Sequence, residues 1–208
     1  ITLPRNSTEG ESAFDNGKAR LTFQAESQAR RVSVKWPNFG GRDLSAEVTM
    51  DLLPDHESMT IVIPIAGNRF YYNRKINCMP AEGWIKWGDK DIAIQPANSL
   101  GNLDWGRGVW EYNSFWVWAS ASGFLADGRT VGLNMGYGFG DTSAATENAL
   151  ILNGRIHKLA QVDFKYDSTN FKRPWKMTAP DGRLDLEFVP FVERVAKTDF
   201  KVLSSEVH

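Results

Sequence analysis

Residues 149–159 read Ala-Leu-Ile-Leu-Asn-Gly-Arg-Ile-His-Lys-Leu, and this stretch decides the fold class. Two apolar-rich segments flank Asn153-Gly154, a pair that two-residue β-hairpin turns prefer because both central positions adopt positive φ. The stretch therefore predicts an antiparallel hairpin. Further turn signals of this kind are found at Asn16-Gly17, Asp127-Gly128, Asp181-Gly182 and, more weakly, Gly88-Asp89.

Apolar and polar residues alternate along much of the chain. Alternation with a period of two indicates a strand with one face in the core and the other in water. It is found in residues 20–23, 31–36, 46–52, 84–87, 162–166 and 184–188. The continuous apolar run from Met59 to Ile65 predicts a more fully buried strand. No segment of twelve or more residues keeps an apolar stripe at helical spacing, so we expect at most one or two short helical turns.

These patterns predict a single antiparallel all-β domain spanning residues 1–208. The length suits one domain, and we expect ten or more strands. An open sheet of that size would leave long unpaired edges, so we expect a lipocalin-like barrel or a closed two-sheet sandwich. The chain begins at Ile1 without an initiator methionine and stops directly after a strand-like run. We therefore interpret it as a fragment of a longer chain.

Composition excludes several classes of function. The 24 basic and 25 acidic side chains give a net charge of −1, which argues against nucleic-acid binding. No window approaches the roughly 20 apolar residues of a membrane-spanning helix. The single cysteine, Cys78, excludes an intramolecular disulfide, and its free thiol favours a cytoplasmic location. The three histidines are not paired at ligand spacing, so the sequence indicates no metal site, and no pattern implies a cofactor.

Candidate functional residues concentrate between Asp104 and Asn148. The chain contains 8 tryptophans, and four of them lie between residues 105 and 118. In a strand, Trp116, Trp118, Ser120 and Ser122 would share one face. We expect Asp104 or Glu147 to act as an acid or base, and a ligand to contact Trp105, Arg107, Trp110, Trp116, Trp118, Ser120, Ser122, Asn134 and Asn148. The glycines at 132, 136, 138 and 140 leave room for a ligand or a crossing strand.

Each of these residues also has a structural interpretation. Tryptophans in a β domain commonly pack in the core, and either serine would then serve only as a partner for a buried indole N–H. Asp104 and Arg107 would form an ion pair that pins a loop, or one that orients a ligand at a pocket mouth. Glu147 would be an exposed acid near a turn.

The chain resembles a bacterial family of uncharacterised proteins, domain of unknown function 2804. The resemblance rests on residues 104–110, 116–123, 146–149 and 154–158, with further matches at 37–41, 53–57, 79–83 and 191–198. Members of that family run longer at both ends, and they carry no established activity, so the resemblance implies kinship without a function. More distantly, the Asp-Trp-Gly and Trp-x-Trp segments are similar to lipocalin-like relatives of carotenoid hydratases, which implies a barrel with an apolar ligand cavity.

Three functions remain open at this point. The first is the binding of a small apolar, amphipathic or polycyclic molecule in an aromatic-lined cavity. The second is an enzyme of the hydratase, isomerase or cyclase type, with Asp104 or Glu147 transferring a proton. The third is a glycoside-active site, because tryptophan platforms with two carboxylates also describe carbohydrate enzymes. A purely structural role would place the tryptophans in a closed core with no cavity.

Overall fold

The structure is a computed structural model, and it describes residue 4, residues 8–199 and residues 204–208. The described residues form strands and turns without a helix, and every strand pairing is antiparallel. The all-β prediction is therefore confirmed. No described helix is long and apolar enough to cross a membrane.

The described residues form seventeen strands. They are β1 (Gly10–Asp15), β2 (Arg20–Ala25), β3 (Ala29–Phe39), β4 (Arg42–Asp51), β5 (Met59–Ile65), β6 (Arg69–Trp87), β7 (Lys90–Ile94), β8 (Leu100–Val109), β9 (Val117–Phe124), β10 (Thr130–Tyr137), β11 (Ala149–Leu152), β12 (Arg155–Lys158), β13 (Asp163–Lys165), β14 (Trp175–Thr178), β15 (Asp185–Phe188), β16 (Ala196–Asp199) and β17 (Ser204–Val207). The five predicted turns all connect successive strands. Asn153 and Gly154 have φ values of 49° and 78°, as a two-residue hairpin turn requires.

The chain divides into two compact units, residues 1–158 and residues 159–208. The first contains an eight-stranded sheet, whose main order is β1-β2-β3-β4-β6-β5 with β7 and β8 also paired to β6, and a four-stranded sheet of order β12-β11-β10-β9. The second contains a three-stranded sheet, β13-β14-β15, and the pair β16-β17. The expectation of one domain over residues 1–208 stays a prediction.

Strand β6 organises the first unit. Its first half lies between β5 and β8, and its second half lies between β4 and β7. The pairing register with β8 shifts between Ile76 and Met79, and Cys78 at that point has a φ of 65°. An irregularity of this kind bends a strand, which lets one strand take part in two pairings on each side.

The first half of β6 faces the four-stranded sheet. The amide of Asn77 on β6 donates hydrogen bonds to Ser120 and Ala121 of β9 and to Leu133 of β10. None of the described sheets closes on itself, so the lipocalin-like barrel is not observed, and two facing sheets are consistent with the sandwich alternative. A small apolar core lies between these sheets, formed by Met59, Cys78, Ala149 and Ile151.

The apolar run Met59–Ile65 forms a strand, as predicted, and three of its seven residues are buried. This strand, β5, pairs only with β6 and alternates between buried and exposed residues. Ile63 is 2% exposed, whereas Val62 is 55% exposed. The apolar run therefore forms an edge strand here, and two of its six apolar residues, Val62 and Pro64, are exposed.

Candidate ligand site between the facing sheets

Four polar or aromatic residues alternate along the inner face of β6. Since alternate side chains of a strand share a face, Tyr71, Asn73, Lys75 and Asn77 all point toward the four-stranded sheet. Asn73, Lys75 and Asn77 are each at most 4% exposed. The layer between the two sheets is therefore polar at this end, whereas facing sheets ordinarily pack apolar side chains.

Lys75 is the centre of this polar layer. Its Nζ lies 2.5 Å from Oδ1 of Asp104 on β8 and 3.3 Å from Oε2 of Glu147, which precedes β11. It also lies 5.0 Å from the ring centroid of Trp118 on β9, within the range of a cation–π contact. We call Lys75, Asp104, Glu147 and Trp118 the lysine cluster. Its three ionisable groups together carry a formal charge of −1.

Tyr71 connects the lysine cluster to a group of aromatic side chains. Burial raises the pKa of the Tyr71 phenol, and the nearby Asp104 and Glu147 carboxylates raise it further, so the phenol stays protonated at neutral pH. On its other side, the Tyr71 ring lies 4.9 Å from Phe139 and 5.6 Å from Trp110, measured between centroids. A protonated phenol there is a hydrogen-bond donor beside two carboxylates.

Phe139 forms the middle of the aromatic group. Trp116 lies 5.3 Å from its ring and Trp110 lies 6.1 Å from it. We call Tyr71, Trp110, Trp116 and Phe139 the aromatic cluster. Trp110 and Trp116 are 43% and 50% exposed, so these indoles do not lie in a closed core.

A cavity of about 370 Å³ adjoins the aromatic cluster through Phe139. Its wall comes from the end of β5, from the β8–β9 loop and from the segment after β10. The lining residues are Ile65, Ala66, Glu111, Asn113, Ser114, Phe115, Gly138, Phe139, Gly140 and Asp141. The cavity therefore combines apolar and polar walls.

Several predicted ligand-binding residues instead bond to the protein itself. The Trp118 indole donates a hydrogen bond to Asn134, and the Asn134 amide donates one to the backbone oxygen of Glu147. Ser120 accepts a hydrogen bond from Asn77. The hydroxyl of Ser122 accepts one from the backbone N–H of Cys78 and donates one to Asn102. The side chain of Asn148 accepts a bond from the backbone of Gly136. These groups hold the two sheets and their loops together.

The structure corrects the predicted pairing of Asp104 with Arg107. Asp104 is bonded to Lys75, whereas Arg107 donates a hydrogen bond to the backbone oxygen of Pro4. Arg107 stands an odd number of residues from Asp104, so the two lie on opposite faces of β8. Trp105 lies with Arg107 on the outer face, where its ring meets Tyr72. Neither residue points toward the lysine cluster.

The sequence did not mark Tyr71, Asn73 or Lys75 as candidates. Residues 71–76 read Tyr-Tyr-Asn-Arg-Lys-Ile and show no regular alternation of apolar and polar residues, so no local pattern distinguishes the inner face of this strand. Polar residues at alternate positions of a strand ordinarily face water. The direction of this face became evident only from the opposite sheet.

The fold and the site define an all-β protein with a polar layer between two facing sheets. A model of the family described as Domain of unknown function (DUF2804) matches residues 1–208, and the chain belongs to this family. The family resemblance noted in the sequence is thereby confirmed. The comparisons with curated proteins and with solved structures gave no significant match.

Proposed function

We propose that the chain binds a small apolar or amphipathic ring compound at the aromatic cluster. The observation that carries this proposal is the exposure of Trp110 and Trp116 beside a cavity that Phe139 lines. Large aromatic side chains at a concave surface provide the apolar area and flat faces that a ring compound needs. A cavity of about 370 Å³ suits a small ligand of this kind.

The polar part of the cavity wall favours an amphipathic ligand over a hydrocarbon. Glu111, Asn113, Ser114 and Asp141 line the cavity together with Ile65 and Phe115. A ligand that covered these polar groups without bonding to them would lose their hydration without compensation. We therefore expect ring compounds with at least one hydrogen-bonding group to bind more tightly than pure hydrocarbons.

The test is a titration of intrinsic tryptophan fluorescence with cholate and menthol, which contain rings and hydrogen-bonding groups, and with farnesol, an open-chain alcohol. We expect a saturable change with at least one of these probes, and an affinity about tenfold lower in Phe139→Ala, which loses aromatic contacts and apolar area. The matched control is Phe23→Ala, a substitution of a 52% exposed phenylalanine on β2. A flat titration with all three probes, or equal losses in the two variants, would refute binding at the aromatic cluster.

A second proposed function is an enzyme that uses the same region. The observation that favours it is that Asp104 and Glu147 both contact Lys75, so their bonded oxygens are no more than about 6 Å apart. The protonated Tyr71 phenol beside them adds a proton donor to two potential proton acceptors. The arrangement favours proton transfer, as in an isomerase, cyclase or hydratase. It disfavours glycoside hydrolysis, because Lys75 occupies the space between the carboxylates that a sugar ring would need.

The enzyme proposal predicts a chemical change in a bound probe. Incubation of farnesol with the protein, followed by mass spectrometry and chromatography, would detect water addition or isomerisation. The product should disappear in Glu147→Gln and in Tyr71→Phe, while binding is retained. Recovery of unchanged compound from a probe that binds saturably would favour the binding function alone.

A further inference from the structure

Asn73 is a buried side chain without a hydrogen-bond partner. The residue is 0% exposed, and neither Nδ2 nor Oδ1 of its amide has a partner. Burying an amide without hydrogen bonds is costly, so native structures almost always pair such groups with protein, water or a ligand. The Asn73 amide on the inner face of β6 can therefore still donate and accept hydrogen bonds.

A second atom in the same region has an ion-pair partner but makes no hydrogen bond. Oε2 of Glu147 is buried and makes no hydrogen bond, although it lies within ion-pair distance of Lys75. Asn73 lies between Tyr71 and Lys75 on the inner face of β6. Lys75 contacts Glu147 directly at 3.3 Å, so the Glu147 carboxylate lies against the same inner face of β6 that Asn73 occupies two residues before Lys75.

The Asn73 amide and the Glu147 carboxylate determine which chemical group could bind between them. An asparagine amide offers two donor hydrogens and one acceptor oxygen, while a carboxylate oxygen only accepts. A hydroxyl group satisfies both, because it accepts a hydrogen bond from Nδ2 of Asn73 and donates one to Oε2 of Glu147. An anionic group would add to the formal charge of −1 on the lysine cluster and would be repelled by it.

We propose that Asn73 and Glu147 bind one hydroxyl group between the two sheets. The hydroxyl belongs either to a water molecule or to an alcohol or phenol group of the ligand; the second source rests on the proposed binding function. In both cases Asn73 is a binding residue that orients the hydroxyl against Glu147.

Crystal structures of the wild-type protein, free and soaked with 2-naphthol, distinguish the two sources. An oxygen within hydrogen-bond distance of both Asn73 and Glu147 in the free protein identifies water. An oxygen seen there only in the soaked crystal identifies the ligand. The proposal is overturned if no oxygen occupies this position in either crystal, or if the Asn73 amide bonds directly to another side chain.

A solution measurement tests the same proposal independently. If a hydroxyl is bound, Asn73→Leu removes one of its partners and the Tm falls by several degrees. If the amide is truly unpaired, the same substitution removes a buried unsatisfied group, and the Tm rises, which overturns the proposal. Asn77→Leu is the control, since it breaks three direct hydrogen bonds and must lower the Tm in either case.

Paired ligands separate this proposal from the proposed function. With the ligand as the source, 2-naphthol should bind at least about tenfold more tightly than naphthalene, and Asn73→Leu should abolish the difference. Equal affinities together with an empty position in both crystals contradict the hydroxyl site but leave binding at the aromatic cluster intact. If neither compound binds, the binding function fails, and the free crystal alone decides whether Asn73 and Glu147 hold water.

Discussion

The Lys75 ammonium is 3% exposed and contacts the Asp104 and Glu147 carboxylates and the face of Trp118. Burying a charge is expensive, and partners of opposite charge offset that cost only while all of them are present. Removing the ammonium would leave the Asp104 and Glu147 carboxylates near one another without the ion-pair partner that they share. The stability of this part of the fold should therefore depend strongly on Lys75.

We expect Lys75→Met to lower the free energy of unfolding by about 3–5 kcal/mol, because uncompensated buried charge remains. Urea denaturation followed by circular dichroism at neutral pH measures the change. Lys86→Met is the matched control on the same strand. The Lys86 side chain is 57% exposed, and its ion pair with Asp91 and its contact with the Trp84 ring both lie at the surface, so its removal should cost less than about 1 kcal/mol. Equal losses in the two variants would contradict the central role of Lys75.

The raised pKa of Tyr71 predicts a stability change in alkaline solution. The unfolded chain releases the Tyr71 proton near pH 10, whereas the folded chain holds it to higher pH. The free energy of unfolding should therefore be unaffected by this group below pH 10 and fall as the pH rises beyond it, by up to about 1.4 kcal/mol per pH unit. Tyr71→Phe lacks this contribution, so urea midpoints measured from pH 9 to pH 11 should fall less steeply in the variant. Parallel slopes would contradict the assignment.

At the residue level, the sequence predicted the acids of the site but not its base. Asp104 was a candidate because it adjoins the tryptophan-rich segment, and Glu147 because it lies at the other end of the region of candidate residues. Lys75 and Asn73 lie in a strand whose local pattern is typical of a solvent-facing surface, and only the opposite sheet covers that surface. The burial of Asn73 and Lys75 depends on a sheet formed by distant residues, so the residue pattern within β6 cannot predict it.

Among the elements, β10 shows how glycines provide space in the polar layer. Gly132 and Gly136 lie on its inner face, and neither has a positive φ. A Cβ atom at Gly132 would lie 2.7 Å from the sulfur of Cys78, and one at Gly136 would lie 2.5 Å from Oε1 of Glu147. The prediction that these two glycines leave room for another group is confirmed, and the groups belong to the protein itself.

Gly136→Ala should therefore destabilise the protein by about 1–3 kcal/mol, because Glu147 must move away from its ion pair with Lys75. The nearest backbone atom, the oxygen of Val117, would lie at 3.2 Å. Gly123→Ala on β9 is the control, since no atom lies within 4 Å of its Cβ position and its φ is not positive. That change should be neutral or stabilising by less than about 1 kcal/mol. Thermal unfolding of both variants measures the difference, and a neutral Gly136→Ala would show that Glu147 tolerates displacement.

For the molecule as a whole, the sequence predicted many of the strands and the hairpin turns, but it did not predict the pairings between distant strands. Turn residues such as Asn153-Gly154 act locally, so their signal is complete in the sequence. The placement of β6 between β5 and β8 in one half, and between β4 and β7 in the other, depends on the bend at Cys78. A positive φ is uncommon for cysteine, and no local sequence pattern predicts the bend at Cys78.

The alternation of Tyr71, Asn73, Lys75 and Asn77 also restricts how the chain can misfold. Sliding β6 by one residue would turn these side chains to the other face. The same slip in an apolar strand would expose its buried side chains, so both kinds of strand disfavour it. Sliding it by two residues keeps the faces unchanged, and a uniformly apolar strand would tolerate the shift. Here such a slip moves Lys75 away from Asp104 and Glu147 and leaves the buried ammonium without its ion-pair partners. The buried ion pairs of Lys75 therefore favour a single pairing register of β6 over registers shifted by two residues, even where an apolar layer would be as stable or more stable.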